Sequence, residues 1–474
     1  VATKIVVKKT AFLYLGRQYD LTMKKPLFFG LGLFIAFAAF LSSCKKDSHP
    51  VPLSSVKELD SFTVKRADGS SFNASDILVT VTSGDTILVT LPPFTDLTNL
   101  TPEFSFQGKS VSPLSGVALN LSAPVVFTVT AEDGSQIKYT AIVKTRGAVL
   151  FGTNDNRFFA LDGGTGTQIW KDSLAGDFQY CVPQLIDSIV YVASTSGVVY
   201  GLDPATGTMK WQFQAGGPVA STPTIDNGTI YFGCDDHNFY AVDLASASVK
   251  WTFPTGEPID TRPPVYNGTV YFASGDGNLY AVDASSGAAK WQLYIGLVAI
   301  AAPELSNGLI YIGSRSDSLY AVDATTGNET WSAKADGFSL ENSNPTVDSG
   351  VVYIGAESGS LFAFNATTGA QEWMSLSQAS VYDQPFIYNN TVYVTADDGT
   401  LDAVNAQTGA LVWKYPGIYA NGSGPLVADG TLYVGGGGSR YFYAFDPASG
   451  NITWKFYTGN AIDLSYRPLF IEGN

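Results

Sequence analysis

Between residues 148 and 474 apolar residues alternate in twos, and turn residues interrupt the runs every ~8–10 positions. Residues 258–291 show the plan. "RPPVY" (262–266) is a short strand, "NG" (267–268) is a hairpin signal, and "TVYFAS" (269–274) is a second strand with Val270 and Phe272 on one face. "GDGN" turns again, "LYAVDA" (279–284) is a third strand, "SSG" turns, and "AAKWQLY" (288–294) is a fourth. The pattern predicts one antiparallel four-stranded sheet per unit.

Eight tryptophans punctuate the chain: Trp170, Trp211, Trp251, Trp291, Trp331, Trp373, Trp413 and Trp454, spaced 40 to 42 residues apart. A fixed period of this size marks stacked supersecondary units. Helical repeats share the period but not the alternation in twos. The spacing therefore predicts an all-β fold: an eight-bladed β-propeller of four-stranded antiparallel blades, with one indole packed at each blade junction. Before each tryptophan stands a turn opened by Asp or Asn (Asp162, Asp203, Asp243, Asp283, Asp323, Asn365, Asn405, Asp446). Four residues later comes glycine, expected at positive φ, except that Ala247 holds the place in the third unit, whose turn should be strained or differently built. The region opens at "AVLFGTND" (148–155), a second strand lacking a first, and ends at "RPLFIEGN" (467–474), a first strand lacking a second. The C-terminal strand is expected to complete the opening blade and leave no free edge.

With "TP" or "P" opening the units, the phrase "YAVDASSGAAKW" resembles the PQQ-like (quinoprotein-type) repeat over residues 148–474. The resemblance implies an eight-bladed propeller. That family holds dehydrogenases as well as non-catalytic scaffolds, among them the propeller lipoprotein of outer-membrane barrel assembly, so function is left to the site.

Ahead of the repeats the pattern changes. Residues 1–22 read as an upstream extension. Lys24 and Lys25, an apolar Leu27–Leu41 stretch and "LSSC" (41–44) read as a signal segment, 23–43. "LSSC" resembles the lipobox of bacterial lipoproteins, which implies cleavage before Cys44 and a lipid on Cys44; a plain membrane anchor is the alternative. "CKKD" (44–47) partly resembles the tag of some Gram-negative surface lipoproteins. The expected location is the cell envelope of a Gram-negative bacterium, anchored to the outer membrane, on either its surface or its periplasmic face. Residues 44–55 then form a lipidated tether. Residues 56–145 carry seven short alternating stretches, among them "SFTV", "TILVTL", "VALNL" and "VVFTVTA", and predict a small immunoglobulin-like β-sandwich without the pinning disulfide. It resembles the sandwich spacers behind the lipid anchor of surface lipoproteins. Residues 146–474 are the propeller.

Charge narrows the partners. The chain carries −15, with +5 in residues 1–43 and hence −20 beyond them. Nucleic acid is excluded as a partner, and so is direct adsorption to anionic lipid. Cys181 and Cys234 lie in neighbouring units and read as buried free thiols, although an exported protein permits a disulfide. Only His49 and His237 are present, and His237 sits in "CDDHN", where the next unit has a turn glycine. Neither a histidine-based triad nor a zinc site is supported, and no metal site is expected.

The quinoprotein resemblance implies PQQ and calcium on the ring axis, between an adjacent-cysteine disulfide and a tryptophan floor. This chain has no adjacent cysteines, and the junctions use every tryptophan. No cofactor is expected; PQQ with calcium belongs to the alternative, an oxidoreductase acting on an alcohol or sugar. What varies between units is the connection from each fourth strand to the next first strand, and these connections surround the axis. They contribute Tyr180, Asp260, Arg262, Glu341, Asn342, Asn344, Tyr382, Asp383, Tyr466 and Arg467. The expected role is a non-catalytic funnel that binds a protein partner or an extracellular ligand. The competing reading is a ring of solvated loops around a water-filled channel.

Overall fold

The computed structural model describes residues 52–82, 85–178, 181–296, 301–335, 339–340, 342–377, 379–418, 424–459 and 467–474. The signal segment, Cys44 and most of the tether lie outside them. The chain forms two compact units, one ending at Lys144 and the other running from Thr145 to Asn474 and including Pro92–Phe94.

The first unit has two antiparallel sheets. Glu58–Lys65 pairs with Thr101–Gln107, and five strands follow the order Leu78–Thr82, Thr86–Leu91, Gln136–Thr145, Val125–Thr130, Ser110–Ser112. Thr86–Leu91 buries every second residue, as alternation requires. Phe62 and Phe104 of the small sheet close on Phe127 of the large one at 5.5 and 5.2 Å between ring centroids. The sequence reading fails at one place. "VALNL" (117–121) is no strand; Leu119 makes a single bridge to Leu100, and the missing strand is Ser110–Ser112. Pro113 and Gly116 interrupt the alternation there, and a three-residue strand is too short to show any.

In the second unit the described residues form eight four-stranded antiparallel sheets. In seven of them the strands run in chain order from the innermost outward. The remaining sheet runs Gln168–Ser173, Arg157–Asp162, Ala148–Gly152, Leu469–Ile471, so the C-terminal strand fills the innermost place beside Ala148–Leu150. The second and third strands are buried on both faces, as in Thr269–Ala273, whereas the sequence suggested one apolar face. Neighbouring sheets cover both sides. The outermost strands alternate between exposed and half-buried, as in Ala289–Tyr294.

Each outermost strand carries a bulge just before its tryptophan. In the fourth sheet Ala281 opposes Trp291 and Val282 opposes Ala289, which leaves Lys290 unpaired. A bulge re-aims the side chain that follows, and the indole turns toward the next sheet. Trp291 Nε1 donates to the Ala324 carbonyl at 3.1 Å, and Tyr271 Oη donates to the same carbonyl at 3.0 Å. The last junction shuts the ring: Trp454 Nε1 and Tyr433 Oη both donate to Gly163, each at 3.0 Å. Under each indole lies the turn glycine of the next sheet; a Cβ on Gly287 would stand 2.7 Å from Trp251. Ala247 is the exception. It keeps the turn, with its N–H on the Asp243 carbonyl at 2.8 Å, but as a non-glycine at φ 52°. Its partner Trp211 has a buried Nε1 with no hydrogen-bond partner. The Trp211 ring meets Tyr191 at 74°, against 42° for Tyr271 and Trp291. The expected strain is present, and it reaches the indole.

Candidate functional site

The connections between sheets lie on the same face as the second-to-third turns. Thr195 N–H donates to the Asp177 carbonyl at 3.0 Å, Asp235 to Pro218 at 2.9 Å, Gly275 to Pro258 at 2.9 Å and Asp397 to Ser380 at 3.0 Å. Among the described residues, six connections also drop one apolar side chain into the interior: Phe178, Val219, Ile259, Leu340, Val381 and Ile418 are at most 1 % exposed. The loops are thus anchored at both ends and in the middle.

Every connection ends in a proline that opens an innermost strand. In four connections the residue two before the proline acts as a pin. Ser221 Oγ accepts the Gly233 amide at 2.8 Å, Thr261 Oγ1 accepts the Ala273 amide at 3.2 Å and Ser343 Oγ accepts the Gly355 amide at 2.9 Å. Cys181 Sγ does the same for Ala193 at 3.1 Å. Cys181 and Cys234 are both free and buried, and burial pushes each thiol up to about 12. In the 386–416 sheet Asp383 holds this position, close to the Thr395 amide.

In four connections the residue immediately before the proline reaches sideways around the axis. Thr222 Oγ1 accepts the Val182 amide at 2.9 Å, Asn344 Oδ1 accepts the Ala302 amide at 2.5 Å, and Gln384 Nε2 donates to the Pro345 carbonyl at 3.2 Å. Arg467 donates to the Pro385 carbonyl at 3.0 Å, passing over Gly424, where a Cβ would stand 2.9 Å from its Cγ. Its guanidinium lies 5.0 Å from the Phe386 ring centroid. Arg262 holds the same position in its own connection and is exposed.

These charges perturb one another. Burial, then the positive charge of Arg262, lowers Arg467 to about 10, while Glu304 and Asp383 work the other way. Burial raises Glu304, and Arg262 and Arg467 hold it down. Burial also raises Asp383 well above the ordinary carboxylate range; the Thr395 amide and Arg467 offset part of this, while Asp397 adds to it. Asp383 is 1 % exposed, and neither carboxylate oxygen has a well-formed hydrogen bond.

The structure therefore gathers Arg262, Asn344, Asp383 and Arg467 into the axial ring. Asp260 and Asn342 go elsewhere. Asp260 pairs with Asp235 on the second-to-third turn of the preceding sheet, and burial together with that neighbouring charge raises it to about 6. Asn342 donates to Glu357 at 2.9 Å on a turn of its own sheet. Tyr382 is half-buried between Val381 and Asp383. Tyr180, Glu341 and Tyr466 lie outside the described residues. Glu304 and Asp235 were missed; Glu304 is visible only when the units are aligned on the proline that precedes each innermost strand. Among the described residues no group of three His, Cys, Asp or Glu side chains is placed to hold a metal.

The protein family described as outer membrane protein assembly factor BamB matches residues 154–299, 296–416 and 377–468. The chain belongs to this family. A second family, described as SGBP, N-terminal, matches residues 69–143. The structure of BamB from Moraxella catarrhalis is similar with a TM-score of 0.54 and 22% identity, over 60% of this chain and 89% of that one. The computationally designed Ika8 protein matches at 0.55 and 15%, over 61% and 90%. The quinohemoprotein alcohol dehydrogenase ADHIIG from Pseudomonas putida HK5 matches at 0.52 and 14%, over 61% and 67%. At these identities the structures share the fold alone. No curated protein matches the chain. BamB-family membership is carried by the repeats.

Proposed function

We propose that this BamB-family propeller is a non-catalytic docking module of the bacterial cell envelope, held to the outer membrane by a lipid on Cys44. Its axial face receives a partner protein. The observation that carries the reading is the ring of residues preceding the prolines, which holds Arg467 on Pro385 and Phe386, with Glu304 and the exposed Arg262 near enough for their charges to act on it. Such an array offers guanidinium donors to carboxylates or backbone carbonyls of a partner loop, at little cost in ordering. Family membership supports a protein–protein role.

The oxidoreductase alternative finds a poor donor set. The two described cysteines are single pins or turn residues in separate sheets, and seven of the eight indoles donate to a neighbouring sheet. The axial ring presents two arginines, whereas a calcium ion takes oxygen ligands.

Placing a photoreactive amino acid at position 262 or 344 in cells tests the docking face. Crosslinks to one defined protein from both positions are expected, with none from Ser286 on the opposite face. Crosslinks from Ser286 alone, or a coloured redox-active species formed with PQQ and calcium, would overturn the proposal. Release of the Cys44→Ala variant from membranes tests the anchor.

A further inference from the structure

The sheets follow one plan, so a departure in one of them stands out against the others. Where the outermost strand Ser248–Pro254 faces the next sheet, three rings fill the space. Phe253 meets Phe272 at 5.8 Å and Tyr280 at 5.4 Å, and Phe272 stacks on Tyr280 at 5.4 Å. Tyr280 Oη finishes the arrangement by donating to Asp276 at 2.8 Å. One junction earlier Phe213, Phe232 and Tyr240 repeat it, with Tyr240 donating to Asp236 at 2.5 Å.

At the junction between the 346–376 and 386–416 sheets, the register puts Ser375, Val394 and Asp402 in those three places. All three rings are gone. A cavity of about 170 Å³ opens instead, with apolar walls from Leu361, Val394 and Leu411 and polar groups from Asp402 and Lys414. Asp402 is 3 % exposed. Its Oδ2 lies 3.4 Å from Lys414 Nζ, which also stands 3.5 Å from Asp398. The lysine thus takes over part of the missing phenol's task. It does not fill the volume, and it leaves Asp402 Oδ1 buried without a hydrogen-bond partner. The Thr400 hydroxyl donates to Asp398 at 2.6 Å. Burial raises the Asp402 carboxyl, with Lys414 and the Thr400 hydroxyl offsetting part of this.

We propose that this cavity binds an aromatic ring bearing a hydrogen-bond donor, of the phenol class, with the donor on Asp402 Oδ1 and the ring between Leu361, Val394 and Leu411. The volume suits it: a cavity of about 150 Å³ accepts benzene, and this one opens to solvent beside Leu411, which is exposed. The chemistry suits it too: the unpaired atom is an acceptor, and it stands where sister junctions carry a tyrosine. The site lies between the outer strands of two sheets and is independent of the axial face and of the docking reading.

The test titrates the purified protein with p-cresol and follows methyl NMR signals of Val394 and Leu411. Saturable binding is expected with a dissociation constant of order 1 mM for so small a ring. Toluene, which has the ring without the donor, is expected to bind at least about fivefold more weakly. Asp402→Tyr restores the ring seen in sister sheets and should abolish binding. Ser375→Phe fills the cavity from the opposite wall and serves if the first variant does not fold. No saturable p-cresol binding, equal binding of toluene, or unchanged binding in the filled variant would overturn the assignment. N-acetyl-tyrosinamide distinguishes the source: if it binds alongside p-cresol the site admits a tyrosine side chain, and if p-cresol alone binds the ligand is a free phenol.

Discussion

Replacing Ala247 by glycine should stabilise the propeller, although it removes atoms from a turn that is already formed. Ala247 sits at φ 52°, and its sister glycines sit near 70°, as Gly287 does at 73°. A left-handed conformation costs a residue with a Cβ roughly 1–2 kcal/mol. Glycine returns about 0.4–1 kcal/mol of that through the greater freedom of the unfolded chain. The larger gain comes from the indole. At the other junctions no Cβ lies under the ring, and Trp251 reaches the Ala284 carbonyl at 3.1 Å. Trp211, the indole of the sheet before Ala247, has its buried N–H unpaired. Restoring that hydrogen bond contributes about 0.5–1.5 kcal/mol net. The sum favours the variant by about 1–2 kcal/mol, or roughly 2 °C in melting temperature for a unit of this size. The reverse change, Gly287→Ala, puts a Cβ 2.7 Å from Trp251 and should cost about 2–4 kcal/mol through strain and a displaced, unpaired indole. Thermal unfolding and the indole N–H signals in ¹⁵N NMR read both changes. In Ala247→Gly the Trp211 signal should move toward the other indoles and gain exchange protection. A destabilised Ala247→Gly, or a Gly287→Ala that melts like the parent, would refute the link between turn and indole.

Three further outcomes follow from the same structure. Asp260 has a folded pKa raised to about 6, so its contribution to stability is intact below the unfolded value near 4 and is lost as pH rises through 6; Asp260→Asn should match the parent at pH 4 and exceed it at pH 7 by on the order of 2 kcal/mol in urea unfolding. Arg467→Ala loses the bond to Pro385 and the contact with Phe386, and should destabilise by about 1–3 kcal/mol in urea unfolding while removing any crosslink formed from position 262. Trp454→Ala opens the closing junction, where its indole bonds Gly163, and should cost about 3–5 kcal/mol, read as a lowered urea midpoint with exposed strand edges captured by an amyloid dye.

The fold was legible because its devices recur. Eight indoles, the Asp or Asn turns and the glycines announce themselves by period, and Ala247 was visible as the one break in it. The axial site was half legible. Arg262, Asn344, Asp383 and Arg467 could be chosen because the connections differ between units, but that rule also admitted Asp260 and Asn342, whose nearest polar groups lie on the turns beneath them. The pins escaped notice because Cys181, Ser221, Thr261 and Ser343 share no chemical name, only the ability to accept a backbone N–H. Glu304 and Asp402 sit inside strands, where a lone acid reads as an outward-facing residue until the sister sheets show what its neighbours do. In the first unit, Ser110–Ser112 is a strand by pairing with Thr128–Thr130 rather than by any pattern of its own.

The innermost place of the opening sheet is filled by Leu469–Ile471, some three hundred residues after Ala148–Gly152. During synthesis, the strand made first therefore waits, one side unsatisfied, until nearly the whole chain has emerged. Any helper that shields the nascent chain has its longest task at Ala148–Gly152.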